Sequence, residues 1–127
     1  MKKIHRKYSI DPVYRWIGVD LDETLAEYNG GFGLLVIGKP IPKMVNRIKK
    51  WLEAGEEVKI VTARLGKATL QVCNEREENV VKAIQDWTEE HIGERLEVTC
   101  EKDIGMVELW DDRAIQVLPN KGDRVCR

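Results

Sequence analysis

The chain has 127 residues and a formal net charge of -1, with 43% hydrophobic and 34% charged residues. This balance is typical of one globular domain and argues against disorder and against strong, sequence-independent binding to nucleic acid or anionic membranes. No apolar run approaches the roughly 20 residues of a membrane span, and the basic start lacks the apolar core of a signal peptide. We therefore expect one cytoplasmic domain over residues 1–127, with residues 1–10 as a basic tail and with no membrane partner.

The first predicted strand covers residues 16–21, an apolar run with an acidic residue near its end. Because both of its faces need covering, it is typical of a buried strand in a parallel sheet.

A glycine-rich loop (residues 28–38) follows. Its Phe32 and the run 34–37 are too apolar for a loop that stays in water. We expect this loop to form a small flap that folds over Asp22, which follows the first strand, or that packs against a partner subunit. The alternative is that residues 34–37 form a strand in an accessory hairpin.

Two helices are predicted by apolar residues at helical spacing. The first opens around Pro42 and stops at Gly55, because proline is tolerated in a first turn and glycine commonly ends a helix. The second covers residues 75–92, with Asn74 and Glu77 as a capping box at its start. Both helices would pack their apolar stripes against a sheet.

Four further strands are predicted, at residues 57–62, 96–100, 107–110 and 114–118. Strands that alternate with helices predict a parallel sheet with right-handed connections. The expected fold is therefore α/β, a three-layer, Rossmann-like parallel sheet of about five strands. Ligands of such sheets bind beyond the carboxyl ends of the strands.

Polar residues that carry chemistry follow four of these strands. They are Asp20 and Asp22 after the first, Thr62, Ala63 and Arg64 after the second, Lys102 after the third, and Asp111 and Asp112 after the fourth. Carboxylates crowded at one sheet edge repel each other and persist if a cation lies among them. Hard oxygen ligands with an incomplete shell suit Mg²⁺, which takes phosphate oxygens as further ligands. Together with a lysine and a hydroxyl, these groups indicate a phosphoryl-transfer site.

The same residues resemble four ordered motifs of the haloacid dehalogenase (HAD) superfamily, in its phosphatase branch. The run Asp20-Leu21-Asp22-Glu23-Thr24 matches DxDx(T/V), Thr62 matches the second-motif Ser or Thr, Lys102 the third-motif lysine, and Asp111-Asp112 the adjacent acids of the fourth. The gaps between these motifs are too short for a cap domain, so the resemblance is to capless members. Glu23 departs from the pattern, since glycine is common at its position.

The resemblance implies a Mg²⁺-dependent phosphomonoester hydrolase that forms an aspartyl phosphate. It makes Asp20 the nucleophile. Asp22 becomes the acid for the leaving alcohol, then the base for water, and its backbone carbonyl binds the metal. The implied phosphate-binding residues are Thr62, Ala63, Arg64 and Lys102. The implied Mg²⁺ ligands are Asp20, Asp22, Asp111 and Asp112, with Asp111 favoured over Asp112 as a direct ligand.

Several of these residues have an alternative structural role. These roles are a helix cap for Thr62, an ion pair with an acid for Arg64, and a turn cap or a pair with Arg113 for Asp112. Lys102 has the weakest spacing of the set. Two other lysines compete for its place, Lys67 and Lys121.

Two other functions stay open. A catalytically inactive binding domain could use the same fold, because fold does not fix function. A receiver-like signalling module also combines acids, threonine, lysine and Mg²⁺, but its paired acids come early, whereas Asp111 and Asp112 come late. The expected partner is a small phosphorylated substrate. A nucleotide, a polynucleotide end and a homo-oligomer remain alternatives.

Overall fold

The computed structural model describes residues 15–31 and 33–126, so the expected basic tail (1–10) and Phe32 lie outside the described residues. The fold is α/β and is built on an all-parallel, four-stranded sheet. Its strands are β1 (Trp16–Asp20), β2 (Glu57–Val61), β3 (Glu97–Thr99) and β4 (Met106–Trp110), in the spatial order β3-β2-β1-β4. The predicted class and the parallel sheet are confirmed.

Three α-helices and a 3₁₀ turn (Ala63–Leu65) connect the strands: α1 (Pro42–Glu53), α2 (Lys67–Val72) and α3 (Glu77–Ile92). Pro42 lies in the first turn of α1, where its missing N–H has no partner to lose. α3 ends at Gly93, whose φ of 101° is left-handed and suits glycine. The predicted capping box is wrong, because no side chain caps α3. Asn74 instead lies in a left-handed turn after α2.

The core lies between one face of the sheet and two helices. Ile17 and Val19 of β1 are fully buried in one apolar cluster with Ile48 of α1 and Ile84 of α3. Each such side chain contributes about 1.5–3 kcal/mol when it leaves water. Because α1 and α3 also contact each other, both lie on the same face. α1 and α3 therefore form one helical layer on this face of the sheet.

The opposite face of the sheet is crossed by the connection between β3 and β4 (residues 100–105). These two strands lie at opposite edges of the sheet, and the connection between them is not helical. Side chains alternate along a strand, so Trp16 faces away from the Ile17 side. Its Nε1 donates to Asp103 Oδ1 over 2.9 Å, and its backbone N–H donates to Gly105 O over 2.9 Å. These bonds fasten the crossing connection to β1.

Residues 114–118 do not join the sheet, so the predicted fifth strand is wrong. Val117 forms a lone antiparallel bridge with Arg124, and Leu118 N donates to Asp123 O over 2.7 Å. Ile115, Val117 and Leu118 remain exposed. Pairing with residues 123–125 satisfies part of the backbone hydrogen bonding of residues 114–118, so these residues do not need a sheet edge.

The strand alternative for residues 34–37 is also wrong, because they form a turn and irregular backbone. The base of the loop is closed by a bridge between Ala26 and Pro40. None of the described helices is both long and apolar enough to cross a membrane.

Candidate functional site

The carboxyl ends of β1, β2 and β4 surround a cavity of about 470 Å³. β1 lies between the other two strands, so segments that are distant in the chain meet there. The predicted residues on its wall are Asp20, Asp22, Thr62, Ala63, Arg64, Asp111 and Asp112. The cavity therefore lies where ligands of parallel sheets bind.

Three of the four predicted metal carboxylates form a tight cluster (Asp20, Asp111 and Asp112). Each offers one oxygen, and these oxygens lie within 4.8 Å of one another. Arg113 N donates to Asp111 Oδ1 over 2.7 Å, which orients that carboxylate. The side chain of Asp22 is not part of the cluster. The four-carboxylate arrangement expected from the sequence is therefore a cluster of three with a fourth beside it.

Thr24 links the two motifs that supply this cluster. Its hydroxyl can donate to Asp20 Oδ2 (3.3 Å) or to Asp112 Oδ1 (3.2 Å), and it accepts from Asp112 N (3.0 Å). One hydroxyl proton thus serves two carboxylates. Thr24 belongs to the motif that begins at Asp20, but its contact with Asp112 joins residues 88 positions apart in the chain and has no signal in the sequence.

Burial and neighbouring carboxylates both affect protonation of the cluster. Burial is the largest cause that raises the pKa of Asp20; together with the hydrogen bond to Asp112 and the charges of Asp111 and Asp112 it brings this pKa to about 7, while the hydrogen bond from Thr24 lowers it. Burial also opposes ionisation of Asp112, but hydrogen bonds, including those from Asp20 and Thr24, hold its pKa below the usual value. Without a cation and below about pH 7, Asp20 therefore keeps a proton that it can donate to Asp112.

Asp22 and Arg64 form a bidentate ion pair beside the cluster. Arg64 Nε donates to Asp22 Oδ2 over 2.9 Å, and Nη2 donates to Oδ1 over 2.8 Å. The guanidinium of Arg64 is almost fully buried, and the Asp22 side chain is about a quarter exposed. Of the two roles that the sequence left open for Arg64, the structure shows the ion pair with an acid.

Thr62 has both a structural contact and a place on the cavity wall. Its Oγ1 accepts from Arg64 N over 3.1 Å, which caps the 3₁₀ turn after β2. The hydroxyl keeps its own proton for another acceptor. Capping and phosphate binding are therefore compatible for this side chain.

Among the described residues, no lysine lines this cavity. Lys102 is exposed on the connection after β3 and does not line the wall, and neither do Lys67 and Lys121. Arg113 does line it, is exposed, and forms no ion pair with another described residue. From the sequence, Arg113 is predicted only as an ion-pair partner for Asp112. Its place directly after two acids at a strand end was the signal that could have identified it.

Comparison with protein-family models finds no match, and no curated protein or solved structure matches the chain significantly. These comparisons assign no family. The resemblance to the HAD superfamily therefore rests on the motif residues themselves and on the distances between those that share the cavity.

Proposed function

We propose that the chain is a Mg²⁺-dependent phosphomonoester hydrolase of the HAD type that acts through an aspartyl phosphate. One observation carries the proposal. The nucleophile candidate Asp20 and the late acid pair Asp111 and Asp112 have oxygens within 4.8 Å of one another at the carboxyl edge of a parallel sheet. Such a cluster beside a hydroxyl and an arginine suits a reaction that depends on positioning and charge stabilisation.

The donor set fits a hard divalent cation. The ligand atoms are carboxylate oxygens and come from two strand ends, and both burial and mutual repulsion oppose ionisation of Asp20 when no counter-charge is present. We assign the direct contacts to Asp20 and Asp111, with Asp112 as a support held by Thr24. When bound there, Mg²⁺ would neutralise the carboxylates and withdraw charge from a phosphoryl oxygen.

The protein's own residues supply the two chemical steps. In the first, an oxygen of Asp20 bonds to phosphorus while the bond from phosphorus to the leaving alcohol breaks, and Asp22 gives that alcohol its proton. In the second, water attacks the phosphorus and Asp22 takes its proton. The bond to Asp20 then breaks, and inorganic phosphate leaves.

Substrate phosphate needs a positive partner, and we assign that role to Arg113 with help from the Thr62 hydroxyl. A guanidinium binds phosphate through a planar fork, which is a stronger and more directional contact than that of an ammonium. The Arg64 guanidinium already donates to Asp22 and to backbone carbonyls. Of the two arginines among the described residues of the wall, Arg113 is thus the one that we expect to bind substrate.

The decisive experiment is a hydrolysis assay with p-nitrophenyl phosphate and a panel of alkyl phosphomonoesters, with Mg²⁺ and after chelation. We expect Mg²⁺-dependent turnover and its loss by more than about a hundredfold in Asp20→Asn, an isosteric change of the nucleophile. Asp86→Asn is the matched control. This carboxylate lies on the surface of α3, paired with Lys82 and Arg95. Acid quench should leave a phosphoryl group on the peptide that contains Asp20.

Turnover that survives in Asp20→Asn, or that needs no divalent cation, would contradict the proposal. Binding of phosphomonoesters with no turnover of any substrate would favour the inactive binding domain instead.

A further inference from the structure

Arg64 uses all three of its guanidinium nitrogens inside the protein. Nε and Nη2 hold both oxygens of Asp22, while Nη1 donates to the backbone carbonyls of Gly33 (3.3 Å), Leu34 (3.0 Å) and Val36 (2.8 Å). These carbonyls belong to the glycine-rich loop. One buried side chain therefore connects a site carboxylate to a loop that lies some 30 residues away in the chain.

We propose that Arg64 is a positioning residue that holds Asp22 in the orientation of a general base and fastens the glycine-rich loop in the same contact. This inference rests on the proposed function. It assigns Arg64 a role in the second chemical step, the hydrolysis of the aspartyl phosphate. In this arrangement the loop and the base form one structural unit, and a change in one displaces the other.

The fork geometry indicates which of the two steps benefits. The fork from Arg64 occupies one lone pair on each oxygen of Asp22, so each oxygen keeps another lone pair that can take a proton. Arg64 therefore orients the carboxylate form of Asp22, which suits the second step, in which Asp22 takes a proton from water as the aspartyl phosphate is hydrolysed. In the first step Asp22 must carry a proton, and the bonds of the fork are then no longer assisted by its negative charge. Loss of Arg64 should therefore slow the second step more than the first.

Lysine cannot replace arginine in this place. Arg64 directs two donors at one carboxylate and a third nitrogen at three carbonyls. An ammonium keeps the charge but concentrates its donors on one nitrogen, so it cannot span both partners. Arg64→Lys thus separates the charge of this residue from its geometry, and it is milder than removal of the cation.

The first test is rapid-mixing kinetics with p-nitrophenyl phosphate and Mg²⁺. Its leaving group departs without a proton, so the first step does not need an acid. We expect Arg64→Lys to release a burst of p-nitrophenol close to one equivalent per enzyme, followed by turnover about tenfold slower than wild type. Asp22→Asn should show the same burst with a greater loss. Arg47→Lys is the matched control, because it makes the same substitution at another partly buried arginine. Arg47 lies on α1, with its guanidinium over the ring of Trp110.

The second test does not depend on activity. The amide of Val36 donates to Gly33 O over 3.1 Å, within the segment that Arg64 fastens. We expect its hydrogen exchange to accelerate about tenfold in Arg64→Lys and much less in Asp22→Asn, which leaves the carbonyl contacts in place.

The outcomes separate the two proposals. A burst in both variants together with faster Val36 exchange only in Arg64→Lys supports the positioning role. Equal slowing of both steps, or unchanged Val36 exchange in a folded Arg64→Lys, overturns it. A wild-type protein that releases no p-nitrophenol overturns the proposed function instead, and the exchange measurement still decides whether Arg64 fastens the loop.

Discussion

The two halves of the cavity use the same residue type in opposite ways. On one side Asp22 faces Arg64, so its charge is balanced within the protein and its position is set by two short hydrogen bonds. On the other side Asp20, Asp111 and Asp112 form one cluster, in which the Thr24 hydroxyl contacts Asp20 and Asp112 and the pKa of Asp20 is raised to about 7. The difference shows that the neighbours of a carboxylate determine its chemistry. We therefore expect a cation from solution to bind in the acidic half and not beside Asp22.

This contrast is tested most strongly by paired variants of the two halves. We expect Mg²⁺ to raise the melting temperature of the wild-type protein, since the ion would bind the folded cluster and not the unfolded chain; at a concentration 100 times Kd the gain is about 2.7 kcal/mol. Asp111→Asn should lose most of this rise and at least about a hundredfold in kcat/KM. Asp22→Asn should keep the rise, because its side chain lies outside the cluster.

Thermal unfolding with Mg²⁺ and with monovalent salt at equal ionic strength provides the measurement and its control. Equal loss of the Mg²⁺ effect in both variants would mean that the two halves act as a single cation site.

A second comparison concerns the positive partner of the substrate. Arg113→Gln should raise KM for a phosphomonoester about tenfold or more, the expected cost of losing a charge-assisted hydrogen bond. Lys102→Gln should change KM little, because Lys102 does not line the cavity. Steady-state measurement of KM for both variants shows whether Arg113 or Lys102 binds the substrate phosphate. The opposite ranking would show that the connection after β3 moves over the cavity when substrate binds.

The bridge within the acidic half should have a smaller effect. Thr24→Val removes a hydroxyl that contacts Asp20 and Asp112. We expect a loss of about 1 kcal/mol in the free energy of unfolding, the typical net value of one hydrogen bond. Thr24→Ser restores the hydroxyl and should recover most of that loss in denaturant titrations. Stability that stays unchanged in Thr24→Val would show that the bridge contributes no net free energy.

The last comparison is a pH dependence confined to the cation-free protein. Because the pKa of Asp20 is raised to about 7 from 3.8, the folded state keeps a proton that the unfolded chain releases. The contribution of Asp20 is therefore fully present below pH 3.8 and is lost as the pH rises through about 7. Denaturant titrations after chelation should show this decline in the wild type and a weaker one in Asp20→Asn. Asp22→Asn should keep the wild-type slope.

Much of the secondary structure was predictable because its causes are local. The helices α1 and α3 follow from apolar residues at helical spacing, from Pro42 in a first turn and from Gly93 in a left-handed conformation. Each of these signals acts within a few residues of the backbone that it shapes. The strand ends that carry the acids were predictable for the same reason.

The contacts within the cavity depended on tertiary structure. Residues 114–118 could pair either with an edge of the sheet or, as the structure shows, with Arg124 through a local bridge at Val117. The alternation of apolar and polar residues does not indicate which of the two pairings has the lower free energy. Whether Arg64 meets a substrate or an acid depends on Asp22, 42 residues away.

The order of apolar and polar residues alone indicates an α/β chain with polar groups at its strand ends. Which of those groups face each other depends on tertiary packing. The strand order puts β1 between β2 and β4, which brings Asp20 to Asp111 and Asp22 to Arg64 and leaves Lys102 on the exposed connection. Such pairings depend on how the whole chain packs, because the free energy of a carboxylate depends on all the charges and solvent around it, including groups that are distant in the sequence.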